Sequence, residues 1–126
     1  MTQRFVLIVE DAPDMAAIMA LALDRVGVEH HHVGDGPTAL AFLETRTPDL
    51  LLLDIGLPGM SGWRVLEAIQ ERFPGTTYPV IMLTAFEDPA NKLVGRLHER
   101  VLRYITKPFA VADLAEAARN ALNIDE

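Results

Sequence analysis

Asp54 follows four leucines directly and precedes the Gly/Pro-rich stretch IGLPGMSGW. Such an apolar run reads as a buried strand, and buried strands seldom end on a charge without cause. Other polar groups stand at the ends of similar runs. Glu10 and Asp11 follow RFVLIV, Thr84 closes PVIMLT, and LRYIT leads into Lys107 and Pro108. If those runs are parallel strands, three carboxylates, a hydroxyl and an ammonium converge on one edge. One lysine cannot neutralise three acids, but a divalent cation can. Hard oxygen ligands with room for water suit Mg²⁺ or Mn²⁺ better than zinc. A cation beside a free carboxylate oxygen, a lysine and a hydroxyl is a layout for phosphoryl transfer. A carboxylate there can act as nucleophile and become an aspartyl phosphate.

The elements that must position these groups are legible as an alternation. Short runs rich in branched residues predict strands at 4–9, 28–33, 50–54, 79–84 and 102–106. Helical spacing predicts helices over about 13–26, 37–44, 62–72, 89–100 and 111–122. In the first, Pro13 stands near the start, Gly27 is the stop, and Met15, Ile18, Met19, Ala22 and Val26 form the expected core face. In the third, Val65, Leu66 and Ile69 form the apolar stripe. Strands apolar on both faces and alternating with helices indicate a parallel sheet covered on both sides. The expected fold is therefore α/β, a five-stranded, doubly wound parallel sheet. In such sheets ligands bind beyond the carboxyl ends of the strands, where strand order reverses.

Composition narrows the function classes. The 126 residues fit one domain, and half of them are hydrophobic, which excludes disorder. There is no cysteine, so thiol catalysis, disulfides and zinc-thiolate sites are ruled out, in keeping with a reducing cytoplasm. The apolar stretch MAAIMALAL is far shorter than the roughly 20 residues a bilayer span requires, and the N-terminus does not read as a signal peptide. A net charge of −7 argues against non-specific binding to nucleic acid or anionic lipid.

With these residues in view, the chain resembles the receiver domain of two-component response regulators, the fold of the chemotaxis regulator. The resemblance rests on LIVEDAPDM (7–15), GDGPTAL (34–40), LLLLDIGLPGMSGW (50–63), VIMLTA (80–85) and YITKPF (104–109), in that order and over essentially the whole chain. It implies a flavodoxin-like sheet of strand order 2-1-3-4-5. Asp54 matches the phosphoacceptor, Asp11 a direct metal ligand, and Glu10 a ligand acting through water. Gly56 matches the residue whose backbone carbonyl completes the Mg²⁺ ligands. Thr84 and Lys107 match the hydroxyl and ammonium that follow the phosphoryl group, and Tyr104 the aromatic that changes rotamer with Thr84. The Lys107–Pro108 bond is expected to be cis. The implied donor is a phosphohistidine of a sensor histidine kinase or histidine phosphotransfer protein. The implied response is a shift in the surface made by the helix at 89–100, the strand at 102–106 and the helix at 111–122. That surface would signal to an output domain or protein, and dimerisation through it is also open. Residues 1–126 are expected to form the receiver alone, without an output domain, direct nucleic-acid contact or membrane contact.

Several features stand outside this core. The run His30-His31-His32 alternates faces on a strand, so at most His30 and His32 could share a ligand, and a solvated or capped edge is the better reading. Trp63 reads as packing on its helix. Leu21 lies off the core stripe of the first helix, which is the usual docking face for the histidine donor in the family resembled. HERVLRY replaces the Gly-Ala pair usual before the strand-five aromatic. The chain also has one residue more than the chemotaxis regulator between Thr84 and Lys107. Phe86 would stand at the pocket mouth and could slow water attack on the phosphoryl group. Two other readings compete: a haloacid-dehalogenase-like phosphatase, which wants an acid where Gly56 stands, and an interaction module that is never phosphorylated.

Overall fold

The computed structural model describes residues 3–85 and 100–124. Its elements in chain order are β1 (Phe5–Val9), α1 (Pro13–Val26), β2 (Glu29–Val33), α2 (Gly36–Leu43), β3 (Leu50–Asp54), α3 (Gly62–Arg72), β4 (Val80–Thr84), β5 (Val101–Thr106) and a last helix, α4 (Val111–Leu122). The helix expected over 89–100 and Phe86 lie outside the described residues. All strand pairings are parallel and the order is β2-β1-β3-β4-β5.

Burial on both faces explains the unbroken apolar strands. Successive side chains on a strand point to opposite faces. Leu50 and Leu52 of β3 pack with Met19, Leu23 and Leu114, on the side of α1 and α4. Leu51 and Leu53 pack with Leu40, Leu66 and Ile69, on the side of α2 and α3. Every residue of β1, β3 and β4 is buried. Burying a leucine side chain fully contributes about 2 kcal/mol, so the composition of these strands is itself a large part of what holds them in the sheet.

The helices begin and end on local signals. Asp35 caps α2 by accepting the Thr38 N–H at 2.7 Å, and Ser61 caps α3 by accepting the Arg64 N–H at 3.3 Å. Gly27 ends α1 in the left-handed region at φ 83°, which a residue without Cβ adopts without strain.

One local expectation is corrected. Met19 and Ala22 of the expected α1 face are core, and Met15 and Val26 pack against it partly buried, but Leu23 and Ala16 complete that face while Ile18 is 40 % exposed. Ile18 instead joins Leu21, 49 % exposed, on the outer surface, as i,i+3 neighbours do. On β5 the register with β4 slips: Val80 faces Val101 but Ile81 faces Arg103, so Leu102 is an extra residue on the β5 side. A one-residue bulge of this kind absorbs added length without moving the strand end. Thr84 still pairs with Thr106.

Candidate functional site

Register alone assembles the acids. Val9 pairs with Leu53, so the next step along both strands sets Glu10 beside Asp54. On the other side of β3, Asp54 pairs with Leu83, and the Ile55 N–H donates to the Leu83 carbonyl at 2.8 Å. Thr84 is therefore one residue beyond, and its carbonyl accepts the Lys107 N–H at 2.7 Å. β1 lies between β2 and β3, which makes the β1/β3 boundary the point where strand order reverses.

The side chains close on a small volume. Carboxylate oxygens of Glu10, Asp11 and Asp54 all lie within 4.8 Å of one another. Glu10 is 1 % and Asp54 4 % exposed, whereas Asp11 faces solvent. Lys107 Nζ stands 2.6 Å from Glu10 Oε1 and 3.5 Å from Asp54 Oδ1. Burial pushes the Glu10 carboxyl above the usual carboxylate range and the nearby Asp54 charge adds to this, while the Lys107 bond and the Ala12 N–H oppose it. One ammonium thus sits among three acids and leaves them short of positive charge. An oxygen-rich, partly open cluster of that sign fits a hard divalent cation such as Mg²⁺.

The loop after Asp54 folds back on it. The Gly56 N–H donates to Asp54 Oδ1 at 3.1 Å, and Gly56 itself is exposed. Thr84 is buried at the end of β4. Tyr104, on β5, packs against Trp63 with ring centroids 6.2 Å apart. The Lys107–Pro108 peptide is cis.

Two contributors escaped the sequence reading. A Cβ on Gly62 would lie 2.4 Å from the Asp54 carbonyl oxygen and 2.8 Å from Ile55 Cα. Only glycine allows the start of α3 to press so closely on the end of β3. Its signal was available: a glycine immediately after the Ser61 cap. The second is His32, whose Nε2 lies 2.6 Å from the Glu10 carbonyl oxygen. The other two histidines of that run are also engaged locally, His30 with Asp24 at 2.8 Å and His31 stacked on Phe42 at 4.6 Å. None of the three belongs to a metal-sized cluster among the described residues.

The chain is similar to known signalling proteins in sequence and in fold. The sensory transduction protein RegX3 of Mycolicibacterium smegmatis is 42 % identical over 117 residues, covering 93 % of this chain and 50 % of RegX3. The DNA-binding response regulator MtrA of the same species is 34 % identical over 126 residues, covering 100 % of this chain and 53 % of MtrA. The chain thus spans about half the length of these relatives. Among solved structures, the CheY-like response regulator receiver domain protein of Methanospirillum hungatei superposes with a TM-score of 0.86 at 29 % identity, covering 97 % of this chain and 95 % of that one. The receiver domain of NtrX from Brucella abortus gives 0.81 at 30 % identity, covering 95 % and 99 %. Residues 6–119 match the response regulator receiver domain, and the chain belongs to that family of two-component signalling domains.

Proposed function

We propose that this domain accepts a phosphoryl group on Asp54 from a phosphohistidine, in a Mg²⁺-dependent reaction, and passes the change to its β5–α4 surface. The observation that carries the reading is the Glu10–Asp11–Asp54 cluster with Lys107 inside it. An Asp54 carboxylate oxygen attacks phosphorus, the P–N bond of the donor breaks, and the imidazole leaves with its electron pair and takes up a proton. Asp11, Asp54 and the Gly56 carbonyl would hold the cation, with Glu10 acting through water, and the bound cation would offset charge on the phosphoryl oxygens. Lys107 would follow the new charge from Glu10 to the phosphoryl group. Thr84 supplies a hydroxyl at the end of β4, and Tyr104 moves with it, so phosphorylation shifts a two-state equilibrium. Hydrolysis of the acyl phosphate resets the domain, so its only catalysis is of its own modification.

The partners that follow are a sensor histidine kinase or a histidine phosphotransfer protein upstream and an output domain or protein downstream. MtrA is named as DNA-binding, but this chain is acidic at −7, and its own role is in signalling rather than in touching nucleic acid. A reducing cytoplasm is the compartment this reading requires. Among the described residues no helix is long and apolar enough to cross a membrane.

The test is incubation with a small-molecule phosphoryl donor such as acetyl phosphate, read by intact mass. One phosphoryl group is expected with Mg²⁺, none with a chelator, and none in Asp54→Asn. Equal labelling of Asp54→Asn would overturn the assignment.

A further inference from the structure

Trp63, on the first turn of α3, is the sole tryptophan of the chain. It follows Gly62, whose N–H donates to the Ile55 carbonyl at 2.9 Å and whose backbone presses on the Asp54 carbonyl. The first turn of α3 therefore cannot shift independently of the backbone that carries Asp54. On its other side, the Trp63 ring meets Tyr104 at 6.2 Å between centroids and 46° between planes. That geometry lies within the range where aromatic rings attract.

One part of Trp63 is not satisfied. Its indole Nε1–H is buried and has no acceptor among the described residues. A buried donor without an acceptor penalises only the conformation that leaves it so. Ring contact favours the present arrangement of the two side chains, while the orphaned N–H is a cost that the same arrangement carries. Two opposing terms in one arrangement are what a poised, two-position element requires.

We propose that Trp63 is a positioning residue of the Tyr104 switch: its ring holds Tyr104 in the position described, and its indole N–H gains an acceptor, protein or water, when Tyr104 leaves. The inference rests on the phosphoacceptor reading and adds to it the residue that couples α3 to β5.

The test uses the full chain with beryllofluoride and Mg²⁺, which mimic the aspartyl phosphate. A single tryptophan gives a single indole N–H resonance in an NMR spectrum. On saturation, that resonance is expected to shift and its solvent exchange rate to change. In Tyr104→Ala, with saturation confirmed at the Gly56 amide, the indole response is expected to vanish. Trp63→Phe keeps a ring but lacks the donor, and is expected to change the apparent beryllofluoride affinity about fivefold. An indole resonance that stays put while the Gly56 amide moves overturns the proposal alone. So does an unchanged affinity in Trp63→Phe. Silence at both the indole and Gly56 overturns the phosphoacceptor reading and this inference with it.

Discussion

Lys107 Nζ is 2.6 Å from Glu10 Oε1 and 3.5 Å from Asp54 Oδ1, so its short bond is to the acid of β1 rather than to the acid of β3. Both carboxylates are buried and the lysine is largely so. The pair therefore works at reduced dielectric, where removing one partner leaves an uncompensated charge.

This arrangement sets the first prediction. Lys107→Met is expected to lower the stability of the metal-free domain by up to about 3 kcal/mol. Added Mg²⁺ is expected to restore more stability to the variant than it adds to the wild type, because the variant's acids have lost their internal cation. Thermal melts with a chelator and with excess Mg²⁺ measure both quantities. Equal stabilisation of the two proteins by Mg²⁺ would show that Lys107 does not neutralise the cluster.

Gly62 provides a test of position rather than charge. In Gly62→Ala the new Cβ would lie 2.4 Å from the Asp54 carbonyl oxygen, against backbone that cannot step aside. The expected cost is about 1–3 kcal/mol, as for overpacking, together with slower labelling of Asp54 by acetyl phosphate. Gly34→Ala is the control, since a Cβ there meets nothing within 4 Å. It is expected to stay within about 0.5 kcal/mol of the wild type. Urea midpoints and labelling rates for the two variants decide the matter.

These two positions also show what the sequence could carry. Apolar runs that lead into Glu10, Asp54 and Thr84 state both the sheet and the edge on which these polar groups gather, because parallel pairing brings strand ends together whatever the loops do. The phase of α1 was less legible. MAAIMALAL is apolar nearly all round, so periodicity admits Ile18 as readily as Leu23, and only the fit against α4 and the sheet chooses Leu23. The Leu102 bulge, the preference of Lys107 for Glu10 and the contact of His32 with the Glu10 carbonyl depend on the approach of distant segments. No local propensity encodes them.

Asp35 sets a pH dependence that can be isolated. The Thr38 backbone N–H, then its hydroxyl, hold the Asp35 carboxyl below the usual carboxylate range. The unfolded chain therefore binds the proton more readily than the folded one. Stability from this group is present above the ordinary carboxylate value and is lost as pH falls through the lower, folded value. Asn also caps helices well, so Asp35→Asn removes the charge and keeps the cap. The wild type is expected to be the more stable near neutrality, with the gap closing from about pH 5 downward. Urea unfolding of both proteins across that range is the measurement, and a gap that widens in acid would contradict the assignment.

The outer face of α1 separates donor docking from chemistry. Ile18 and Leu21 are large apolar side chains exposed side by side, on a helix whose start lies next to Asp11. A helical donor carrying its phosphohistidine to Asp54 would pass over this face, and an apolar pair there is a suitable anchor for it. Leu21→Glu removes the anchor without touching the core or the acids. Stability is expected to change by less than about 0.5 kcal/mol, and labelling by acetyl phosphate is expected to match the wild type. Transfer from a phosphorylated histidine kinase domain is expected to slow about tenfold, as the loss of roughly 1.4 kcal/mol of docking energy implies. Equal slowing with both donors would place Leu21 in the chemistry. No slowing with either would move the docking site off α1.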